Sequence, residues 1–193
     1  MQVTVGDRMS TQFTLVAGEA SLDDTRMPDG NYVVILDRDG APVALVLPDQ
    51  LQDAVARGAT KLLDPAAGLP ATLVVRRGLE LSELVNTPAV LMLRDAAIGA
   101  VVLDDSTDEI VGVLPVGALD TFLGSGEFTP PPTVLGWSGL SNDPRLPGRI
   151  DVPLARVMCS TCGFVNTLEF FDASSPPTCQ NPNGMTHSLM AGA

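Results

Sequence analysis

All three cysteines and the single histidine of the chain fall within one short C-terminal segment. They stand as Cys159-Ser160-Thr161-Cys162-Gly163, then Cys179, then His187. A Cys-x-x-Cys-Gly turn lets two thiolates converge on one ion, because the glycine takes the tight backbone conformation that the turn needs. Zinc prefers four nitrogen or sulfur ligands in a tetrahedron, and three cysteines with one histidine are a common set. The spacing therefore predicts a structural zinc site formed by Cys159, Cys162, Cys179 and His187.

The region around these residues, 154–193, resembles a small zinc ribbon. Residues 164–171 can form one or two strands, and a tail so poor in apolar side chains cannot bury a core of its own. Metal binding would therefore supply much of the free energy that folds it. Seven residues separate Cys179 from His187, where ribbons usually carry another short knuckle. His187 is the least regular member of the predicted ligand set for that reason.

Three other interpretations of the same residues stay open. A redox Cys-x-x-Cys normally opens a helix, whereas residues 164–167 are predicted to be extended. A disulfide framework needs an even number of cysteines and an oxidising compartment, and the sequence indicates neither. A catalytic zinc keeps one coordination position open, which would be the case here if His187 were not a ligand.

A repeated hairpin pattern in the first two-thirds of the chain indicates the elements that precede this site. Residues 32–47 have the pattern of a strand, a turn and a second strand. Residues 100–115 repeat it, with Asp37 and Asp104 lying 67 residues apart. The first turn contains Asp39-Gly40, a strong hairpin signal because glycine accepts positive φ without a steric penalty. The strands are nearly continuous apolar runs, which is typical of strands covered on both faces.

Helices and further strands are predicted around the two hairpins. Each hairpin leads into a proline-opened helix, over 48–55 and 115–123. The other predicted elements are a strand over 13–16, a helix over 19–27, a helical segment over 80–85 and a strand over 89–93. We therefore expect an α+β fold in which residues 1–123 form two related β-β-α units with small sheets. Residues 124–153 then form a Pro/Gly-rich connector and residues 154–193 the zinc module.

Four short motifs of the repeat match those of a known family. They are residues 7–10 (Asp-Arg-Met-Ser), 34–40 (Val-Ile-Leu-Asp-Arg-Asp-Gly), 44–46 (Ala-Leu-Val) and 112–114 (Gly-Val-Leu). They resemble the opening Asp-x-Met-Thr, the strand ending in Asp-x-x-Gly and the Gly-Ile-Val strand of tandem cystathionine-beta-synthase (CBS) domains. The resemblance covers about two-thirds of the chain and implies a degenerate CBS-like pair with a regulatory role. Pairs of this family often bind adenosine nucleotides and associate through their helices, so the resemblance also implies a nucleotide ligand and a homodimer.

The positions that hold nucleotide in the family are replaced in this chain. Members that bind nucleotide carry Thr or Ser just after the second strand and Asp three residues later. Here the first copy has Leu47 and Gln50 at those positions, and the second copy has Pro115 and Ala118. A carboxylate suits two adjacent ribose hydroxyls because it only accepts hydrogen bonds, and these side chains do not offer one. Asp49 is the one weak candidate for a cofactor-binding residue, and we predict that adenosine nucleotides bind weakly or not at all.

The charge of the chain excludes several classes of partner. The sequence holds 23 acidic and 11 basic side chains, a net charge of −12. A field of that sign repels phosphate backbones and anionic lipid, so we expect neither nucleic acid nor a membrane as partner. No apolar stretch approaches the roughly 20 residues that span a bilayer, and the N-terminus has no signal-peptide pattern. Together with the codon-driven excess of Arg over Lys, this predicts a bacterial cytoplasmic protein.

No catalytic constellation stands out beyond the metal ligands. With His187 assigned to metal, no histidine remains as a general base, so we predict no catalytic residues and a non-catalytic regulatory or adaptor protein. Trp137, Phe170 and Phe171 are the aromatics best suited to anchor a protein partner on the connector and ribbon; alternatively, they pack back onto the repeats. Because the connector should limit coupling, Cys162→Ser is expected to disorder the tail and leave the repeats folded. The alternative function is an adenosine-nucleotide sensor that binds its ligand in the cleft between the repeats.

Overall fold

The computed structural model describes residues 2–21, 31–64, 67–95, 98–125 and 153–190. The strands are β1 (Phe13–Ala17), β2 (Tyr32–Leu36), β3 (Pro42–Val46), β4 (Thr72–Arg76), β5 (Gly99–Leu103), β6 (Ile110–Pro115), β7 (Leu154–Met158) and β8 (Val165–Leu168). The helices are α1 (Pro48–Ala56), α2 (Leu81–Val85), α3 (Ala89–Asp95) and α4 (Val116–Gly124), and a 3-10 turn covers Val5–Asp7. The predicted α+β class is confirmed.

The internal repeat of the sequence is also a repeat of topology. In the first copy β1 pairs in parallel with β2, and β2 forms the antiparallel hairpin with β3. In the second copy β4 pairs in parallel with β5, and β5 forms the hairpin with β6. Both hairpins carry a register shift at the same place, between Ile35 and Leu36 and between Val102 and Leu103. Helices α1 and α4 follow at once, so the two predicted hairpin-helix units are confirmed.

The apolar hairpin strands are covered on both faces, as their sequence predicts. Val33 and Ile35 of β2 pack in the core beneath α1, while Val34 between them packs on the second repeat. Its partners there are Val101 and Val113. Because side chains alternate between the faces of a strand, one strand serves both contacts. The two repeats therefore meet through their sheets.

The segment 89–93 was predicted to be a strand and is the helix α3. Ala89, Met92 and Leu93 are buried, whereas Leu91 is 42% exposed. That spacing of three and four residues is the helical period, and strict alternation would have buried Leu91 with Ala89 and Leu93. Pro88 stands just before the helix, where its fixed φ suits the first turn. The short apolar run was ambiguous between the two patterns, and the packing decides it.

Strand β4 was not predicted, although it is the central strand of the larger sheet. That sheet has the order β6-β5-β4-β7-β8, while the first repeat forms the three-stranded sheet β1-β2-β3. Thr72 at the start of β4 is buried, and its hydroxyl accepts a 2.7 Å hydrogen bond from the backbone N–H of Leu45. This buried bond joins β3 of the first repeat to β4 of the second.

The C-terminal strands continue the sheet of the second repeat. β7 pairs antiparallel with β4, with Leu73 opposite Ala155, and β8 pairs antiparallel with β7. Met158 of β7 packs in the core cluster of the first repeat, and Arg156 forms a 3.1 Å ion pair with Asp37. The segment that leads into the cysteines is therefore bonded to both repeats.

Two sequence predictions fall outside the described residues. Most of the helix expected over 19–27 lies there, as do Trp137 and nearly all of the connector 124–153. The helical segment expected over 80–85 is present as α2.

Candidate metal centre

The first half of the site is a tight turn directly after β7. The N–H of Gly163 donates to the carbonyl of Cys159 at 2.7 Å, and the N–H of Cys159 donates to the carbonyl of Phe164 at 2.9 Å. Gly163 has a φ of 71°, the left-handed conformation that costs glycine least. The turn places Cys159 and Cys162 on the same side of the chain, as the Cys-x-x-Cys-Gly pattern predicts.

The second half is a short antiparallel ladder that the sequence did not predict. The N–H of Cys179 donates to the carbonyl of His187 at 2.9 Å, and the N–H of Leu189 donates to that of Pro177 at 2.7 Å. This pairing sets Cys179 beside His187 and turns the intervening residues into a loop. The irregular spacing between these two residues is therefore compatible with one site.

The four predicted ligands converge. Their donor atoms all lie within 4.8 Å of one another, so the group can hold a metal ion. The Sγ atoms of Cys162 and Cys179 are 3.7 Å apart, and the Sγ of Cys159 is 3.2 Å from Nε2 of His187. Two sulfurs bound to one tetrahedral zinc at about 2.3 Å would stand about 3.8 Å apart, close to the observed distance between the sulfurs.

A backbone carbonyl fixes the tautomer of His187. Its Nδ1 lies 2.7 Å from the carbonyl oxygen of Met185. Since a carbonyl can only accept, Nδ1 carries a proton in this contact, and Nε2 is the nitrogen that faces Cys159. A second hydrogen bond of this kind is the usual partner of a metal-binding histidine, because it orients the ring.

Asn166 joins the two halves of the site and was missed in the sequence. It is fully buried in β8, and its amide nitrogen lies 3.7 Å from the Sγ of Cys179. The same amide group donates to the carbonyl of Val157, and its oxygen accepts from the N–H of Gln180 at 2.7 Å. An asparagine in an otherwise strand-like segment was the only available signal. Its contacts hold the Cys179 strand against β8.

The protonation of the ligands is coupled through these contacts. Burial opposes ionisation of Cys159, but hydrogen bonds from the backbones of Met190 and Thr161 and from His187 prevail and lower the pKa of the thiol to about 6. The carbonyl of Met185, followed by the Cys159 sulfur, raises the pKa of His187 to about 9. Burial raises the pKa of Cys179. Without metal the site thus favours a thiolate-imidazolium pair, which a cation would replace by displacing the proton.

The residues that the family resemblance singled out lie at the starts of helices α1 and α4. The side-chain oxygen of Gln50 accepts from the N–H of Leu47 at 3.0 Å, and the carboxylate of Asp49 accepts from the N–H of Gln50 at 3.0 Å. Pro115 ends β6, and Ala118 lies in the first turn of α4. Asp49 thus lies in the first turn of α1, where a negative charge stabilises a helix.

Matches to known proteins are found among solved structures. No family model and no curated protein matches the chain. Among solved structures, the chain is similar to a CBS domain pair in complex with 5′-methylthioadenosine and S-adenosyl-L-methionine, with 15% identity, a TM-score of 0.47, and 65% of this chain and 99% of that chain covered. It is also similar to a CBS-pair protein from Arabidopsis thaliana, with 20% identity and a TM-score of 0.45. That match covers 67% of this chain and 100% of the Arabidopsis chain. A conserved CBS domain protein of unknown function from Thermoplasma acidophilum follows at 18% identity, a TM-score of 0.44, and 65% and 72% covered.

All three of these proteins contain CBS domains. At such identities they do not identify a ligand for this chain. Across the described residues, no helix combines the length and the hydropathy needed to cross a bilayer.

Proposed function

We propose that the chain is a non-catalytic regulatory protein whose C-terminal ribbon is held by one structural zinc ion. Cys159, Cys162, Cys179 and His187 would fill the tetrahedron that zinc prefers, which leaves no position for a reacting water. The convergence of the four donor atoms within 4.8 Å carries this proposal. The ion, when bound, would cross-link the turn after β7 to the ladder that contains Cys179.

The surroundings of the cysteines favour a structural metal over redox chemistry. A redox Cys-x-x-Cys normally stands at a helix N-terminus, but here the turn leads into strand β8. Cys179 and His187 would also have no role in a two-cysteine redox site. The three cysteines are free thiols, which suits the reducing cytoplasm of a bacterium, where we place the protein.

We assign the adaptor surface to the ribbon. Phe170 is 37% exposed, and Met185 and Met190 are also exposed large apolar side chains. Aromatic residues and methionine are enriched where proteins bind each other. Phe171, by contrast, is buried against the repeats and is unavailable to a partner. A homodimer remains an expectation from the family resemblance.

Elemental analysis of freshly isolated, unchelated protein tests the metal. We expect about one zinc per chain, because the four ligands form one tetrahedron. Cys162→Ser should lose the metal, whereas the neighbouring Ser160→Ala should keep it. Protein without zinc or any other transition metal would remove the proposal.

The alternative, an adenosine-nucleotide sensor, has one favourable observation. The two repeats are intact units whose helices α1 and α4 begin directly after the second hairpin strands. Against it, the side chain of Gln50 accepts a hydrogen bond at the start of α1, and the carboxylate that the family places at this position is missing. A melting-temperature screen with AMP, ADP, ATP and S-adenosylmethionine separates the two functions, because a ligand that binds only the native state raises its stability.

A further inference from the structure

A cavity of about 900 Å³ lies between the first repeat and the ribbon. Its walls are helix α1, residues 67–71, the middle of α3 and the ribbon segment 170–174. This volume is in the range of sites that enclose small molecules. One wall belongs to the segment between the two cysteine-bearing halves of the ribbon, so the cavity exists only where the ribbon is folded onto the repeats.

The ribbon side of the cavity, together with α3, is apolar and partly uncovered. Phe170 and Leu91 line it and remain 37% and 42% exposed. Met92 and Phe171, which also line it, are buried and hold this wall in place. Exposed aromatic and aliphatic side chains that face a cavity offer a flat ring a surface on which to pack.

The opposite side carries both signs of charge on one helix. Gln50 and Asp53 of α1 and Arg57, which caps its C-terminus, all line the cavity, and their spacing places them on a single face. Arg57 donates one N–H to the carbonyl of Ala67 at 2.6 Å and retains further donors. Asp53 is exposed, and within the described part of the chain its carboxylate has no side-chain hydrogen bond or ion pair. A cation donor and a free carboxylate thus lie one turn apart.

The loop that closes the cavity is fixed by its own hydrogen bonds. The carboxylate of Asp172 accepts from the N–H of Ser174 at 2.8 Å and from its hydroxyl at 2.6 Å. These bonds also lower the pKa of Asp172, so it stays ionised. Asp172 and Asp53 together give the cavity lining two carboxylates, against the one guanidinium of Arg57. This excess of negative charge disfavours ligands with several phosphates.

We propose that this cavity binds a small zwitterion with an aromatic ring, the chemistry of an aromatic α-amino acid. The ring packs against Phe170 and Leu91, the ammonium pairs with Asp53 and the carboxylate pairs with Arg57. A ligand with only one charge would pair with either Asp53 or Arg57. Its charge would then also lie near the other of these two groups, which has the same sign as the ligand. The proposal needs the ribbon in place but does not depend on which metal holds it.

Calorimetric titration of the full-length chain, with its metal content measured, tests the proposal. The probes are L-tryptophan, tryptamine and indole-3-propionate, which share the indole ring. Tryptophan carries both charges, tryptamine only the positive charge and indole-3-propionate only the negative charge. We expect tryptophan to bind about threefold more tightly than either of the others, the factor typical of one additional ion pair with a solvent-exposed group such as Asp53 or Arg57.

Variants distinguish the roles of the two walls. Asp53→Asn should remove the preference for tryptophan over indole-3-propionate, and Phe170→Ala should weaken all three probes together. Asp120→Asn, an exposed acid on the equivalent helix α4, should change nothing. The idea is overturned by metal-loaded protein that gives no heat with tryptophan at millimolar concentration, by equal affinities for the three probes, or by an unchanged preference in Asp53→Asn.

Discussion

Replacing Cys179 by Ser should weaken the repeats as well as the ribbon. The connector alone suggested that the tail could be lost without consequence for residues 1–123. In the structure, however, Phe171 and Leu189 of the ribbon share a core cluster with Ala71 and Met92 of the repeats. Removing one ligand of the proposed zinc site releases the ladder that carries Leu189, and these contacts are lost with it.

The size of the effect follows from two side chains. Leu189 is fully buried and Phe171 is 8% exposed. Burial of one such side chain contributes about 1.5–3 kcal/mol, so exposing both should lower the free energy of unfolding by about 3–6 kcal/mol. Whole domains are stable by only about 5–15 kcal/mol, so the change would be large. Strand β7 should stay paired, since Val157 and Met158 are buried against the repeats independently of the metal.

Urea denaturation and amide hydrogen exchange measure this change. Cys179→Ser should unfold at lower urea and lose most of the protection at the amides of Cys179 and Leu189. The amides of β4 and β5 should lose only as much protection as the fall in global stability dictates. Wild-type protein stripped by a chelator should behave the same way. Thr178→Ala, at the exposed neighbouring position, is the matched control and should resemble wild type. An unchanged unfolding midpoint in Cys179→Ser, with Leu189 still protected, would refute the reasoning.

Three further predictions concern single groups. Asn166→Ala should destabilise the protein by about 1–3 kcal/mol, the cost of leaving buried polar partners unsatisfied, and should speed metal loss to a chelator. Hydrogen bonds from Ser106 lower the pKa of Asp104 to about 2. The contribution of Asp104 to stability is therefore complete above the unfolded pKa near 3.8 and is lost as the pH falls towards 2. Asp104→Ala should flatten that part of the curve of stability against pH, as measured by urea denaturation. AMP and ATP should not raise the melting temperature, because Gln50 and Ala118 stand at the positions that bind ribose in the family. Micromolar binding of either nucleotide would contradict this prediction. In that case Asp49→Ala should abolish the binding.

The predicted parts of the molecule are those that residue type and local pattern determine. The hairpins follow from apolar runs that recur 67 residues apart, and the metal ligands follow from thiol and imidazole chemistry that other residues do not share. The segments 72–76 and 89–93 are both short and apolar, yet one is a strand and the other a helix. The strand is fixed by the pairing of β4 with β5 and β7, and that pairing joins residues far apart in sequence. The carbonyl of Met185 could not have been found, because a backbone group carries no residue-type signal.

Strand β7 joins the ribbon strand β8 to the sheet of the second repeat. It ends at Met158, one residue before the first proposed ligand, and Met158 packs in the core of the first repeat. Ala155, three residues earlier in the strand, stands opposite Leu73 in the sheet of the second repeat. A strand cannot shift by one residue without turning its buried face outward, so β7 must keep its register or leave the sheet. A protein partner bound at the proposed surface around Phe170 would therefore contact a ribbon that is paired with the second repeat and packed on the first.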